Sequence, residues 1–262
     1  MDYKINLFEG NKKPVVAVVG CLHGDELVGK KIISRLRKMK LRKGTLITIV
    51  ANEKAIKYGK RFIDQDLNRS FPGKKMGNYE EMLAYELLKI AKKADFVLDI
   101  HSTTTDVKDL AIITRKGKAV LNLAHTIDPK RIVLMKKSIA KGSFTNHCKV
   151  AVSLEYGKDN DKSTFNNTFD SIVSLLEKEK MINVEDKKEK QNKVDFYKIT
   201  GVVRKSEKDV LKNNIKNFKL IKKGEIFATR NNEEIASKED FYPVLFGNKS
   251  YDDIFGFKAA SK

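Results

Sequence analysis

Residues 15–32, VVAVVGCLHGDELVGKKI, join an apolar run to two side chains of the kinds that bind metals. The Val-rich run over 15–20 is typical of a buried β-strand, and the residues after it have the apolar spacing of a helix. His23 and Glu26 stand at the corner between the two, and a spacing of three residues allows both to face one point. Gly24 between them allows the backbone a conformation that a residue with a larger side chain would resist. Taken alone, the pair is somewhat more typical of a surface histidine and a first-turn acid.

Further apolar runs alternate with amphipathic segments along the chain. Besides 15–20, we predict strands over 45–50, 95–100, 110–113 and 149–154. We predict helices over 25–39, 79–93, 116–126 and 167–180. This alternation indicates the α/β class, with a mostly parallel or mixed sheet and helices on both faces.

The pattern changes after NVEDKKEKQNK, residues 183–193, a charged run of the kind found in linkers and exposed loops. The segments that follow are short, apolar and separated by Gly and Asn, which is typical of strands joined by turns. We therefore predict two domains, a large α/β domain over 1–185 and a small β-rich domain over 190–262 that narrows the cleft of the first.

The composition limits the classes of protein that fit. The net charge is +19, but the basic residues are scattered among acids and no nucleic-acid-binding motif is present, so we expect small anionic ligands and no nucleic-acid partner. No apolar run approaches the roughly 18 residues that cross a bilayer, and Cys21 and Cys148 fit a reducing compartment. We expect a cytoplasmic protein with no membrane partner.

A second strand end adds another metal-binding side chain. In FVLDIHSTTT, residues 96–105, His101 ends an apolar run and polar residues follow it. Ligands of open α/β sheets bind beyond the carboxyl ends of strands. Two His and one Glu are a ligand set of catalytic zinc, so His23, Glu26 and His101 predict one zinc ion per chain.

Two acids on the predicted strands suit roles beside a metal. Glu155 ends the strand of VAVSLEYG and suits a general base that takes a proton from water and returns it to a leaving amine. Its alternative role is a capping or salt-bridge acid. Asp99, two residues before His101, could orient that histidine or be simply a buried hydrogen-bonding acid.

The long loop over 51–78 contains RFIDQDLNRSFPG, residues 61–73. An arginine beside zinc can stabilise an oxyanion, and a second arginine with an asparagine can bind a carboxylate through paired hydrogen bonds. Asp64 or Asp66 would then hold the arginines in place, whereas the alternative is a surface salt-bridge loop. We expect an ordered, functional loop whose anchors are Phe62, Ile63, Leu67 and Phe71.

Four motifs together resemble the succinylglutamate desuccinylase/aspartoacylase family, which belongs to the zinc-carboxypeptidase-like superfamily. They are, in chain order, GCLHGDE, RFIDQDLNRSFPG, DIHST and LEYG. The resemblance implies a zinc-carboxypeptidase-like fold and a zinc-dependent hydrolase of amide bonds other than peptide bonds. It further implies a small anionic substrate, an N-acyl amino acid or similar carboxylate, from which an acyl group is removed.

The resemblance also implies a role for each site residue. It places zinc on His23, Glu26 and His101, makes Glu155 the base and Arg61 the oxyanion stabiliser, and assigns substrate binding to Asn68, Arg69 and Tyr251. One feature departs from the aspartoacylase pattern, because AKGSFTNHCKVAVSLE, residues 140–155, has no substrate-binding arginine. Lys141 and Lys149 are the candidates to replace it as point charges, so specificity for aspartate stays open.

Two other interpretations fit the sequence. A metallocarboxypeptidase acting on short peptides would share the core chemistry, and a more remote alternative is a non-catalytic basic protein that binds nucleic acid. The identity of the acyl group and of the amine, and the presence of a homo-oligomer, stay open.

Overall fold

The computed structural model describes residues 1–7, 12–183 and 193–261, which form thirteen β-strands and five α-helices. The strands are β1 Asp2–Leu7, β2 Val15–Gly20, β3 Thr45–Val50, β4 Phe96–His101, β5 Leu110–Ile113, β6 Arg131–Leu134, β7 Ala151–Glu155, β8 Asp195–Arg204, β9 Asp209–Leu211, β10 Ile226–Arg230, β11 Glu233–Ala236, β12 Tyr242–Val244 and β13 Ile254–Ser261. The helices are α1 Val28–Leu36, α2 Glu53–Lys57, α3 Tyr79–Ala91, α4 Lys118–Thr126 and α5 Lys162–Lys178.

Ten strands form one mixed sheet in the order β1-β3-β2-β4-β7-β5-β6-β8-β13-β12. Strands β3, β2, β4 and β7 run parallel, so their carboxyl ends share one edge. Strand β5 pairs antiparallel with β7 and parallel with β6. The predicted mixed α/β sheet with helices on both faces is therefore confirmed.

Strand β2 contributes to a core on each face of the sheet, because successive side chains of a strand point in opposite directions. In β2, Val16 and Val18 belong to the core that includes apolar residues of α1, α4 and α5. Ala17 and Val19 belong to a second core, which includes apolar residues of α3. Both faces of this strand need apolar side chains, which accounts for the continuous run in the sequence.

The C-terminal stretch is rich in β-structure, as predicted. Strands β8, β13 and β12 extend the main sheet, whereas β9, β10 and β11 form a separate antiparallel sheet of three strands. The division into domains over 1–185 and 190–262 stays a prediction, since this stretch contributes to both sheets. Most of the charged run predicted to be a linker, residues 184–192, lies outside the described residues.

Helices α1 and α5 begin three or more residues from the predicted start. Helix α1 begins at Val28 instead of residue 25, and the Asp159 carboxylate accepts a hydrogen bond from the Val28 N–H at 2.7 Å. Helix α5 begins at Lys162 instead of residue 167, because the Asp161 side chain accepts from the Ser163 N–H and caps it. The first cap comes from a distant loop, so the spacing of apolar residues in α1 does not reveal it.

Two further expectations concern membranes and thiols. Within the described ranges, none of the helices is long and apolar enough to cross a membrane. Cys21 and Cys148 are buried free thiols, and burial raises the pKa of each to about 12. At neutral pH both thiols are therefore protonated.

Candidate active site

Glu26 lies between two imidazoles at the carboxyl edge of the parallel strands. Its Oε1 lies 2.7 Å from His23 Nδ1, and its Oε2 lies 3.0 Å from His101 Nδ1. One ligand atom from each of the three residues lies within 4.8 Å of the others, and all three side chains are buried. The turn after β2, closed by a hydrogen bond from the Glu26 N–H to the His23 carbonyl, and the end of β4 thus place these three residues together.

A second carboxylate holds the outer nitrogen of each imidazole. His23 Nε2 lies 3.0 Å from Asp66 Oδ1, and His101 Nε2 lies 2.9 Å from Asp99 Oδ2. An acid that accepts a hydrogen bond from Nε2–H directs the lone pair of Nδ1 toward the space beside Glu26. Asp99 therefore has the orienting position that the sequence suggests, and Asp66 has the same position at the other histidine.

The charges of these groups are strongly coupled. Burial opposes protonation of His23 and His101, but neighbouring carboxylates outweigh burial and raise the pKa of both imidazoles. Burial also disfavours the charged form of Glu26, but the two histidines hold its pKa well below its usual range. Without a metal, Glu26 is therefore ionised and protons on the two imidazoles supply positive charge beside it. A metal cation would compete with these protons for the site.

Glu155 is the cross-strand neighbour of His101 in the register of β4 and β7. Burial raises the pKa of Glu155 to about 7, and the negative charges of Glu26 and Asp99 act in the same direction. The histidines His101 and His23 oppose this shift. A carboxyl group with a pKa near neutrality can both take and return a proton, as general acid–base catalysis requires.

Arg61 reaches the same cluster from the long loop. Its NH1 donates to Glu26 Oε1 at 3.2 Å, and its NH2 lies 3.0 Å from His23 Nε2 and 3.7 Å from Asp66 Oδ2. Its side chain is 44% exposed, so the guanidinium also faces solvent beside the cluster. Of the two candidate acids, Asp66 holds this arginine, whereas Asp64 accepts a hydrogen bond from the Tyr79 N–H at the start of α3.

Gly24 is required by a close approach of backbone rather than by an unusual dihedral angle. A Cβ at this position would lie 2.4 Å from the carbonyl carbon of Ala55 and 2.5 Å from the Lys60 carbonyl oxygen. The Gly24 N–H donates to the carbonyl oxygen of Arg61 at 3.0 Å. The left-handed φ of this corner belongs to Cys21 instead, at 59°. The absence of a side chain therefore lets the loop with Arg61 lie against the turn that carries His23 and Glu26.

The two predicted carboxylate-binding residues lie on the adjacent 3-10 turn, Leu67–Arg69. Asn68 Oδ1 accepts from the Phe144 N–H at 2.9 Å, and its Nδ2 lies 3.5 Å from His101 Nε2. The Asn68 amide is thus fixed with its N–H groups toward the cluster. Arg69 is exposed, and its NH1 donates to the Asn68 carbonyl oxygen at 2.9 Å.

Tyr251 brings the C-terminal stretch to this site. Its ring packs edge-on against Phe257 at 5.6 Å between centroids. Burial raises the pKa of Tyr251, the charge of Glu155 acts in the same direction, and Arg69 and Arg61 oppose it. The phenol is therefore a protonated donor near the predicted base and arginines.

The anchors of the long loop differ in part from the prediction. Leu67 and Phe71 are buried, with exposed fractions of 0% and 4%, and Ile63 is half-buried. Phe62 is 37% exposed and is therefore not an anchor. A polar contact that the sequence analysis missed is that of Ser153, whose Oγ donates to Asp99 Oδ2 at 3.3 Å. Its signal was a polar residue within an apolar strand.

The two lysines that could replace the absent arginine lie in different places. Burial disfavours the charged form of Asp95, which precedes β4, but hydrogen bonds and nearby lysines lower its pKa. Lys149, which precedes β7, is one of these lysines. It therefore lies at the amino edge of the parallel strands, opposite the site. Lys141 is exposed, and the next residue, Gly142, packs against the backbone of Arg69. Of the two, Lys141 is the one on the side of the predicted substrate residues.

Sequence comparison relates this chain to known proteins. Residues 12–177 match the model of the succinylglutamate desuccinylase/aspartoacylase catalytic domain. A probable aspartoacylase of Nostoc sp. is 28% identical over 215 residues, 74% of this chain and 73% of that protein. An N-acyl-aromatic-L-amino acid amidohydrolase (carboxylate-forming) of Xenopus tropicalis is 30% identical over 130 residues, 44% of this chain and 42% of that protein.

The fold has a close counterpart among solved structures. The crystal structure of succinylglutamate desuccinylase/aspartoacylase from Rhodobacter sphaeroides superposes with a TM-score of 0.78 at 18% identity. The match covers 96% of this chain and 87% of that one. These similarities confirm the resemblance carried by the four sequence motifs. Since the family model spans more than half of the residues, the chain belongs to the succinylglutamate desuccinylase/aspartoacylase family.

Proposed function

We propose that this protein is a zinc-dependent amidohydrolase that removes an acyl group from an N-acyl amino acid or a similar small carboxylate. The observation that carries the proposal is the position of Glu155, a carboxyl group with a pKa of about 7, beside a buried His/Glu/His donor set. The names of two relatives, a probable aspartoacylase and an N-acyl-aromatic-L-amino acid amidohydrolase, support hydrolysis of an amide next to a carboxylate.

The donor set suits zinc. Catalytic zinc is commonly held by two imidazole nitrogens and one carboxylate, which leaves a position for water or substrate. His23, Glu26 and His101 would hold the ion, and Asp66 and Asp99 would keep the two imidazoles oriented. Bound zinc would supply Lewis-acid polarisation of the amide carbonyl and make water a stronger nucleophile at neutral pH.

The chain's own residues supply the proton transfer and the charge stabilisation. The Glu155 carboxylate takes a proton from the attacking water, and the resulting acid gives that proton to the departing nitrogen. The Arg61 guanidinium, held by Glu26 and Asp66, donates N–H groups toward the oxygen on which negative charge develops. Because its pKa is raised, Tyr251 stays protonated and serves as a donor to the bound substrate.

The substrate carboxylate is assigned to the 3-10 turn. The oriented amide of Asn68 and the exposed guanidinium of Arg69 offer N–H donors on one side of the cluster. The net charge of +19 favours the approach of an anionic substrate. The nearness of Tyr251 to these residues supports the proposal that the C-terminal stretch narrows the cleft and excludes long peptides.

A substrate panel tests the proposal. The zinc-loaded protein is assayed with N-acetyl derivatives of aspartate and of an aromatic amino acid, and with matching dipeptides. We expect release of the free amino acid from at least one acyl derivative, at a kcat/KM that exceeds that of every dipeptide. A preference for dipeptides by orders of magnitude would favour a metallocarboxypeptidase. Tight RNA binding without detectable zinc would favour the nucleic-acid-binding alternative.

A further inference from the structure

Glu80 is a carboxylate outside the group His23, Glu26 and His101, here called the donor set, and it contacts the segment that carries Arg61 and Asp66. Glu80 is the second residue of α3, and its side chain is completely buried, with an exposed fraction of 0%. Its four hydrogen-bond partners are uncharged N–H groups. Burying a carboxylate lowers the stability of the fold unless several hydrogen-bond donors contact it. The contacts with these four N–H groups are therefore what allows an acid at this position.

Three of these donors are consecutive backbone amides of the long loop. Glu80 Oε1 accepts from the N–H of Ile63 at 2.8 Å, and its Oε2 accepts from those of Asp64 and Gln65 at 2.9 and 3.3 Å. The side-chain amide of Asn52 completes the set at 3.1 Å from Oε1. Three successive N–H groups that point at one carboxylate fix the backbone dihedral angles between them.

The helix and the loop hold each other. While Glu80 accepts from the loop, the Asp64 carboxylate accepts from the Tyr79 N–H at 2.9 Å, at the first position of α3. That N–H has no partner within the helix, and negative charge near a helix N-terminus is favourable. The start of α3 is therefore a rigid support for the loop.

The fixed amides lie between the two loop residues that reach the donor set. Arg61 NH1 contacts Glu26 Oε1 at 3.2 Å, and Asp66 Oδ1 lies 3.0 Å from His23 Nε2. Both contacts depend on the path of the backbone over residues 62–65. A displacement of about 1 Å in such a group can lower a rate by roughly 100-fold.

We propose that Glu80 is a positioning residue, which holds the 61–66 segment so that Arg61 and Asp66 face the donor set. This inference rests on the proposed function, since Arg61 has a catalytic role only there. Glu80 itself does not contact substrate in this scheme; it acts through the loop.

The test uses Glu80→Gln, which keeps the volume but replaces one acceptor oxygen with an N–H₂ group that faces N–H donors. The control is Glu81→Gln, the neighbouring residue, which accepts from the Asn78 N–H in the capping box of α3. Hydrogen exchange of the peptide containing residues 63–65 is measured in both variants. We expect at least about tenfold faster exchange in Glu80→Gln and less than about threefold change in Glu81→Gln.

Kinetics then separate positioning from general stability. We expect Glu80→Gln to lower kcat by at least about tenfold with a smaller change in KM, and Glu81→Gln to leave kcat within about twofold. In an Arg61→Ala background, Glu80→Gln should lower kcat by a smaller factor than in the wild type, because one of the two groups that it positions is already gone. An equal loss in both backgrounds would overturn the proposal.

Two outcomes are kept distinct. If the wild-type protein hydrolyses none of the substrates, the proposed function fails, while the exchange measurement still tests whether Glu80 holds the loop. Unchanged exchange in Glu80→Gln would overturn the inference whatever the activity. If Glu80→Gln does not fold, Glu80→Asp, which keeps both oxygens but withdraws them by one methylene, should show faster exchange of residues 63–65; wild-type exchange would overturn the inference.

Discussion

His101 and Glu155 are paired across β4 and β7, so the imidazole predicted to bind metal and a carboxyl group end neighbouring parallel strands in the same register. Parallel pairing without a bulge places their side chains on the same face of the sheet. His101 and the predicted base therefore owe their proximity to strand pairing within the sheet rather than to a loop. A rigid element holds catalytic groups more accurately than a loop does.

The variant Glu155→Gln separates proton transfer from metal binding. We expect turnover to fall by at least roughly 100-fold, because general acid–base catalysis contributes that much or more. Zinc should stay bound, since the proposed donor atoms belong to His23, Glu26 and His101. Initial rates and elemental analysis check both points. Near-normal turnover in this variant would show that Glu155 does not carry the proton.

The raised pKa of Glu155 predicts a pH-dependent difference in stability for the zinc-free protein. The folded state holds this proton up to about pH 7, whereas the ordinary value is 4.5. Between these values the wild type loses stability as pH rises, because the unfolded chain releases the proton first. Glu155→Gln has no such proton, so it should gain on the order of 1–3 kcal/mol relative to wild type across this window.

Denaturant unfolding of the chelator-treated proteins checks the expectation. The difference in the free energy of unfolding should be small below pH 4.5, grow up to about pH 7, and then stay constant. A difference that does not change with pH would mean that the pKa of Glu155 in the folded zinc-free protein equals its value in the unfolded chain.

Much of the fold could be predicted from the sequence because its signals are local. The strands over 15–20, 45–50 and 110–113 have the predicted bounds, since each is a continuous apolar run buried on both faces. The edge strand β1 and the short β6 were not predicted. The start of α1 was wrong by three residues, because Asp159 caps it from 131 residues away.

In the candidate site, too, local signals could be predicted and contacts between distant segments could not. His23, Glu26, His101 and Glu155 could be grouped because all four follow or end apolar strands, and the carboxyl ends of parallel strands share an edge. Whether Asp64 or Asp66 holds Arg61 could not be decided, since two acids two residues apart differ only in the direction that the loop gives them. Glu80 gave no signal, because its partners are backbone amides in a different segment.

Substituting each of the two loop acids, Asp66 and Asp64, tests which of them supports zinc binding. Asp66→Asn removes the charge beside His23 Nε2 and should weaken zinc binding by about 10–100-fold, as loss of an orienting carboxylate does. Asp64→Asn changes an acid that faces Tyr79 and should alter the affinity by less than about threefold. His101→Ala, which removes a donor, should leave no stoichiometric zinc. Competition with a chromogenic chelator measures all three, and equal affinities for the two asparagine variants would contradict the assigned contact.

Substituting each of the two lysines, Lys141 and Lys149, tests which of them binds a second carboxylate of the substrate. If Lys141 replaces the absent arginine, Lys141→Ala should raise KM at least about tenfold for an N-acyl amino acid with a second carboxylate, the effect of losing one charged hydrogen bond. Its kcat should change less, and the KM for a monocarboxylate substrate should stay the same. Lys149→Ala removes the same charge at the opposite edge of the sheet and should leave both KM values unchanged. Steady-state kinetics with the two substrates decide the matter: a similar rise in both variants would assign the effect to net charge, and no rise in Lys141→Ala would exclude Lys141 as the second carboxylate's partner.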